Sequence, residues 1–412
     1  MIETKFKKTE LGPIPVDWEV CRIIDFSDVI TGATPSTENP DYWGGHIRWM
    51  SSGELNEKII TDVKGRITNE GFASASTHIL PVDCVLIGLA GQGKTRGTAA
   101  INKIELCTNQ SIGAILPSEH VNSDYLYLYM DSQYQNLRNI SSGEGGRGGL
   151  SKSLLLNFEI AKPNNISEQN RIAEALGETD ALIRELDALI EKKRAVMQGA
   201  SQELISGNSR LPGFTKPWNH AILGDTVNIY RGGSPRPIES FITNNPNGLN
   251  WIKIGDVRPK DKYIVQTAEK IIPEGLSSTR EVHVGDFILS NSMSFGRPYI
   301  LKIDGCIHDG WLAITNYEST FDKDYLYYLL GSDSVYKQYQ SLAAGSGVLN
   351  LNKKLVAAVE LDIPEITEQR AIATILSDMD EEIVELEAKR DKYASIRQGM
   401  MQQLLTGKIR LI

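Results

Sequence analysis

Residues 88–95 read GLAGQGKT, the complete G-x-x-x-x-G-K-[ST] spacing of a loop that cradles nucleotide phosphates. In such a loop the backbone N–H groups hold the phosphates, Lys94 reaches toward the terminal ones and Thr95 holds a magnesium ion. That chemistry also needs a strand before the loop and a helix that starts at the Lys-Thr pair, so that the helix N-terminus faces the anion. Val85-Leu86-Ile87 supplies a strand, but RGTAAINKIELC follows, with a glycine directly after Arg96 and then β-branched residues. This predicts a second strand, hence a hairpin, and makes the match a decoy. A polar, basic hairpin tip has another use. Gln reads adenine with two hydrogen bonds, Arg and Lys read guanine, and glycines let backbone approach phosphate. Gln92, Lys94, Thr95 and Arg96 are therefore candidate nucleic-acid contacts.

Other catalytic constellations are missing. NNPNG (from Asn244) lacks the second proline and the aromatic of the [DNS]-P-P-[YFW] run that grips a target amino group. No G-x-G loop follows a buried strand in a βαβ setting, so no S-adenosylmethionine pocket is expected. Cys21, Cys84, Cys107 and Cys306 are scattered, which predicts free thiols in a reducing cytoplasm and no paired-cysteine zinc site. His46, His78, His120, His220, His283 and His308 never fall at i, i+4, so no helical metal face is predicted. The 412 residues, 41% apolar and 23% charged, allow two or three soluble domains. No apolar run is long enough to span a membrane, and MIETKFKKTELGPIP has no apolar core of a secretory signal. The net charge of −9 opposes a freestanding DNA binder and leaves room for one with local basic loops or partners that share the phosphate contacts.

The elements that must position these loops are written twice. DYLYLYMDSQYQ (from Asp124) answers DYLYYLLGSDSVYKQYQ (from Asp324), SEQNRIAEAL (from Ser167) answers TEQRAIATIL (from Thr367), and QGASQELISGNSRL (from Gln198) answers QGMMQQLLTGKIRL (from Gln398), each pair offset by 200 residues. More loosely, IRWMSSGEL (from Ile47) matches LNWIKIGDV (from Leu249), and LPVDCVLI (from Leu80) matches VHVGDFIL (from Val282). Residues 20–160 and 220–360 read as short strands with long loops and a helix near each DYLY segment. Residues 167–206 and 367–406 lack proline and read as long helices, each about 60 Å at 1.5 Å per residue. Ile172, Leu176, Ile183, Leu186 and Ile190 in the first, and Ile372, Leu376, Met379, Ile383 and Leu386 in the second, step as a pairing seam. Thr179, Lys193, Arg390 and Arg397 interrupt it. Ser167 and Thr367 are expected N-caps, Glu168 and Glu368 favour the first turn, and Gly207 and Gly407 stand where C′ glycines end a helix. Antiparallel pairing of the two helices would hold two similar domains about a pseudo-twofold axis, as suits a split DNA site. A repeat scaffold for protein partners fits the duplication equally.

With these repeats in view, the chain resembles the specificity (S) subunit of Type I restriction-modification systems over essentially its whole length. The resemblance rests on the paired I/LxWxxxGD/EL/V segments, the paired [ST]EQxxIAxxL helix starts, and the helix ends closing in SGNSRL and TGKIRL. It implies an α+β fold with two mixed α/β target recognition domains, separated and joined by two long helices that pair as an antiparallel coiled coil. The expected boundaries are 1–165 and 209–365 for the recognition domains, with 166–208 and 366–412 for the helices. Each domain would read one half of an asymmetric bipartite sequence in double-stranded DNA, with the paired helices setting the spacer. The chain would have no catalysis and no cofactor of its own. It would dock two DNA adenine methyltransferase subunits, which use S-adenosylmethionine, and restriction/translocase subunits, which use ATP and magnesium.

Under this resemblance further loops become DNA candidates. Asn291, Ser292, Ser294 and Arg297 match the first hairpin tip; TGATPS carries Thr34 and Ser36, and RGGSPRP carries Arg231, Ser234 and Arg236. Ser51 and Ser52 correspond to Lys253 and its neighbour, and Arg147 in a glycine loop suits phosphate. The second glycine loop, AAGSGVLN, is followed by fewer polar residues than the family pattern has. Trp49 and Trp251 are expected in the core, and Glu54 and Asp256 as structural acceptors. Two competing readings remain at this point: a coiled-coil protein adaptor, and a P-loop NTPase built on Gly88–Thr95.

Overall fold

The computed structural model describes residues 4–91, 93–141, 149–258, 260–291, 295–343 and 350–412. The chain forms two compact units, Met1–Asp187 with Lys389–Ile412, and Ala188–Ala388. Both contain the same five-stranded sheet. In the first unit the strand order is Val29–Thr31, Ile112–Ile115, Val85–Gly88, Ala99–Asn102, Ile59–Ile60. In the second it is Asn228–Arg231, Trp311–Thr315, Phe287–Ser290, Pro298–Leu301, Tyr263–Ile264. Neighbours pair antiparallel except for the final edge strand, which is parallel in both units. Side chains alternate across a strand, so Val85 and Ile87 enter one core while Leu86 enters another. Phe287 and Leu289 separate from Ile288 in the same way. Burial on both faces is why CVLIGLA and DFILS are continuously apolar rather than alternating.

The DYLY segments form helices Ser123–Ser132 and Lys323–Leu330, which pack on one face of each sheet. Asn122 and Asp322 cap them, accepting from the Tyr125 and Tyr325 N–H groups at 2.8 and 3.2 Å. The predicted long helices run Ile166–Ser206 and Ile366–Leu404. Each gives its first half to one unit and the rest to the other. Inside each unit the two halves pair antiparallel. In the first, Asp180 meets Arg397 and Asp187 meets Arg390 (3.5 Å); in the second, Lys193 meets Glu382 (2.6 Å) and Arg194 meets Glu387. The charges that break the apolar seam are therefore the cross-helix ion pairs.

Two expectations about these helices need correction. Leu186, Ile190 and Ile383 are buried, and Ile183, Met379 and Leu386 half-buried, as a seam requires. Ile172, Leu176, Ile372 and Leu376 instead enter the domain cores: the first pair joins Leu404 and Leu405, the second joins Leu204 and Ile205. The first turns of each helix thus pack against the sheet and the DYLY helix. The helices also start one residue early, so Ser167 and Thr367 lie within the first turn. Asn165 Oδ1 accepts the Ser167 N–H at 2.9 Å, and the Glu365 carbonyl accepts the Glu368 N–H at 2.9 Å. The far ends behave as expected, with Gly207 and Gly407 in the left-handed region at φ 72° and 68°.

The repeated Glu-Gln pair lies buried under each helix start, Glu168 and Glu368 at 1% exposure. Gln169 accepts the Asn122 N–H at 2.8 Å and donates to the Pro163 carbonyl at 2.9 Å; Gln369 accepts the Asp322 N–H at 2.8 Å and donates to the Thr320 and Pro364 carbonyls, both at 2.9 Å. Glu168 receives a fork from Arg410 at 2.6 and 2.8 Å, and Arg410 also grips Asp17 at 2.8 and 2.6 Å. Glu368 receives the same fork from Arg210 at 2.6 and 2.7 Å, plus the Trp218 indole N–H at 3.1 Å. The arginine closing one helix segment thereby locks the start of the other, with a bidentate geometry that suits guanidinium and carboxylate.

Candidate nucleic-acid interface

Strand pairing gathers the candidate loops at one end of each sheet. Thr31 lies opposite Gly113, Gly88 opposite Ile112, and Ile87 opposite Ala99, so the loops after Thr31, before Ile112 and between Gly88 and Ala99 leave together. The Leu150 N–H donates to the Leu89 carbonyl at 2.9 Å, and Asn109 N–H to the Met50 carbonyl at 3.0 Å, which brings Leu150 and the Ser51 turn to the same end. In the second unit Arg231 lies opposite Leu312, Ser290 opposite Trp311 and Leu289 opposite Pro298, while the Leu351 N–H donates to the Asn291 carbonyl at 2.8 Å. One residue is needed twice for this convergence. A Cβ on Gly32 would lie 1.8 Å from the Thr108 carbonyl oxygen, and one on Gly232 2.1 Å from that of His308. Only glycine lets each strand end pass so close to the neighbouring turn.

The GLAGQGKT segment is a hairpin loop. Val85–Gly88 and Ala99–Asn102 pair antiparallel on either side of it, and no helix starts at Thr95. Backbone bonds close the base of the hairpin: Gly88 donates to the Thr98 carbonyl at 3.0 Å, Gly97 to Gly88 at 2.8 Å and Thr98 to Thr95 at 3.0 Å. The nearest helix, Tyr134–Ile140, approaches with donors of its own. Arg138 donates to the Gly93 carbonyl at 2.7 Å, and the Tyr134 hydroxyl to the Lys94 carbonyl at 3.1 Å. These side chains, which sequence reading missed, hold the loop carbonyls inward and leave the Lys94 side chain exposed. The phosphate-cradle alternative therefore falls.

The remaining candidates divide by what already occupies them. Lys94, Arg231, Arg236, Arg297 and Ser36 are exposed; Thr95 and Arg96 are half-buried at the hairpin base. Thr34 donates to Gln110 at 2.6 Å, and Ser234 to Asp309 at 2.7 Å, a bond that holds the Asp309 carboxyl below its ordinary value against a smaller effect of burial. Ser51 gives both its N–H and its hydroxyl to Glu54, at 2.9 and 3.1 Å, and so caps the turn that Ser52 begins. Lys253 donates its N–H to Asp256 at 2.7 Å and pairs with Glu269 at 2.6 Å. Asn291 is not at a loop tip: it is buried at 4% exposure, with its amide on the Asp309 carbonyl at 2.8 Å, because its own N–H continues the sheet edge to Gly310. Gln92, Arg147, Ser292 and Ser294 lie outside the described residues. Trp251 is buried, while Trp49 is half-buried with its indole N–H on the Ala33 carbonyl at 3.0 Å.

The result is a pair of sheet ends with the same backbone and different polar side chains, offering exposed cations beside hydrogen-bonding groups fixed by neighbours. That combination can grip phosphate and read base edges. Among the described residues no group of His, Cys, Asp or Glu could hold a metal ion, and no helix is long and apolar enough to cross a membrane.

The model of the Type I restriction modification DNA specificity domain matches this chain twice, over residues 15–193 and 215–394. The chain belongs to that family. The two matches coincide with the two copies of the sheet, loop end and long helix. Among relatives of this DNA specificity chain, the MjaIX specificity subunit of a Type I restriction enzyme from Methanocaldococcus jannaschii is 30% identical over 59% of each chain. The MjaVIII specificity subunit from the same organism is 24% identical over 99% of this chain and 97% of its own. The crystal structure of the Type I restriction-modification system S subunit from M. genitalium shares the fold, with a TM-score of 0.61 at 16% identity over 98% of this chain and 99% of that one.

Proposed function

We propose that this chain is the DNA sequence-recognition subunit of a Type I restriction-modification complex, each unit reading one half of an asymmetric bipartite site. The observation that carries this is the duplicated loop end: one backbone frame, used twice within a DNA specificity family, with unlike side chains on it. Unlike readers call for unlike half-sites. The paired long helices set the spacer and, with the surrounding surface, dock two DNA adenine methyltransferase subunits; restriction/translocase subunits join the full complex. Catalysis, S-adenosylmethionine, ATP and magnesium belong to those partners, and the assembly works in the cytoplasm. The recognition domains are taken as 1–165 and 209–365. Partners that share the phosphate contacts reconcile DNA binding with the net charge of −9.

The test is a methylome. The chain is expressed with its neighbouring methyltransferase subunit in a host without adenine methylation, and methylated bases are mapped by single-molecule sequencing. A single asymmetric split motif that disappears without this chain is expected. A stable complex that leaves no methylation would sink the recognition reading and return weight to a protein adaptor.

A further inference from the structure

The duplication lets one unit serve as a control for the other, and one matched position differs in a telling way. In the first unit the Arg397 guanidinium lies between two carboxylates, forking onto Asp180 and standing 3.6 Å from Asp131, with Met401 Sδ at 3.0 Å. Tyr127, on the DYLY helix, is close enough for Asp131, Asp180 and Arg397 all to influence its hydroxyl, although burial is the largest cause of that hydroxyl's raised pKa. At the 200-residue offset the counterparts are Met197 for Arg397, Asp380 for Asp180, Gly331 for Asp131, Ser201 for Met401 and Tyr327 for Tyr127. The acid of the long helix and the tyrosine are kept. The arginine is gone, and all five counterparts line one cavity of about 330 Å³.

Among the described residues the Asp380 carboxylate has no hydrogen-bond or ion-pair partner. Its nearby cations are committed or distant. Arg194, which also lines the cavity, is engaged by Glu191 and Glu387, and Lys262 pairs with Asp324 at 3.0 Å. Arg297 stands on the wall without reaching ion-pair distance of Asp380. Burial holds the Asp380 carboxyl above its ordinary range, with Lys262 opposing. A half-buried carboxylate without a counter-ion is costly unless a cation is brought to it. The aromatic wall suits a cation as well: Lys262 Nζ already sits 4.9 and 5.0 Å from the Tyr327 and Tyr328 ring centroids. The volume lies at the small end of ligand sites, the size for one side chain or a small molecule.

We propose that the cavity beside Asp380 binds a guanidinium group from outside the chain, in the place where Arg397 supplies one internally to the other unit. The group comes either from a free alkylguanidine or from an arginine side chain of a partner subunit. Only the second source rests on the recognition-subunit reading; the binding step itself needs neither DNA nor partner.

The test is calorimetric titration of the full chain with agmatine, an alkylguanidine without a carboxylate, and with butylamine as the ammonium control. Saturable agmatine binding that exceeds butylamine binding is expected, weakened at least tenfold in Asp380→Asn. Met197→Arg should restore the internal clamp, abolish agmatine binding and raise the melting temperature. Equal binding by wild type and Asp380→Asn, absence of saturable binding, or a lower melting temperature in Met197→Arg would each overturn the proposal. The two sources are then separated in the methyltransferase complex. Agmatine excluded by complex formation, together with weaker assembly of Met197→Arg, identifies a partner arginine; agmatine still bound by the complex identifies a free ligand. Failure of the methylome test leaves this titration unaffected.

Discussion

The two ends of each unit have been treated differently by the duplication. At the helix-start end the copies keep the same buried core of the clamp: Glu168 with Glu368, Gln169 with Gln369, Arg410 with Arg210, Trp18 with Trp218. At the loop end they share the strand order and the glycine at Gly32 and Gly232, and little else. Thr34 leans on Gln110 where Ser234 leans on Asp309, and Ser51 caps a turn where its counterpart Lys253 pairs with Glu269. Buried charge explains the first behaviour. A carboxylate at 1% exposure must keep its guanidinium, so neither partner can drift alone. Exposed loops on a rigid sheet have no such constraint and are free to take up new specificity.

The comparison is broken most severely at the buried clamp. Arg410→Ala strips Glu168 and Asp17 together and should cost about 3 kcal/mol by chemical denaturation. Arg210→Ala strips a single carboxylate, Glu368, together with the Lys216 carbonyl, from a more exposed arginine (27% against 11%), and should cost less. Equal losses would show that Asp17 contributes nothing. Next come Gln169→Ala and Gln369→Ala, which orphan matching N–H groups at Asn122 and Asp322; each should cost about 1–3 kcal/mol, and by similar amounts. At the loop end Lys94→Ala should leave stability within about 0.5 kcal/mol. It should weaken DNA binding by the methyltransferase complex and lower the slope of log affinity against log salt by about 1. An unchanged slope would remove Lys94 from the phosphate contacts. The smallest effect is a pH one. The Arg410 hydrogen bonds hold the Asp17 carboxyl below its ordinary 3.8, against a smaller effect of burial. A lowered folded value stabilises above 3.8 and loses that contribution as pH falls through the folded value. The stability gap between wild type and Asp17→Asn should therefore be present at neutral pH and close in acid below about 3.8.

Much of the frame was legible in the residues. A fixed 200-residue offset exposed the duplication, and proline-free seams located both long helices to within about two residues. The glycine after Arg96 foretold the hairpin that disarms GLAGQGKT. What could not be read was partnership. Arg390 and Arg397 looked like faults in a seam because their acids, Asp187 and Asp180, lie on the other helix. Arg410 and Glu168 are 242 positions apart, and only their matched recurrence as Arg210 and Glu368 hinted at a shared task. Ile172 and Leu176 satisfy the helical period whether they face a helix or a sheet, so periodicity alone misassigned them. In the loops the exposed cations were found by residue type, whereas the burial of Asn291 depends on which carbonyl its amide meets.

The uneven division of the chain also sets an order of assembly. The second unit, Ala188–Ala388, is one unbroken stretch, but the first combines Met1–Asp187 with Lys389–Ile412. On a ribosome adding roughly 5–20 residues per second, the first-made domain waits on the order of 10–40 s for the segment that carries Leu404, Leu405 and Arg410. Until then its Ile172 and Leu176 face lacks part of its cover and Glu168 lacks its counter-charge. The earlier-made half is thus left incomplete until residues 389–412 are made, after the last residue of the later-made half.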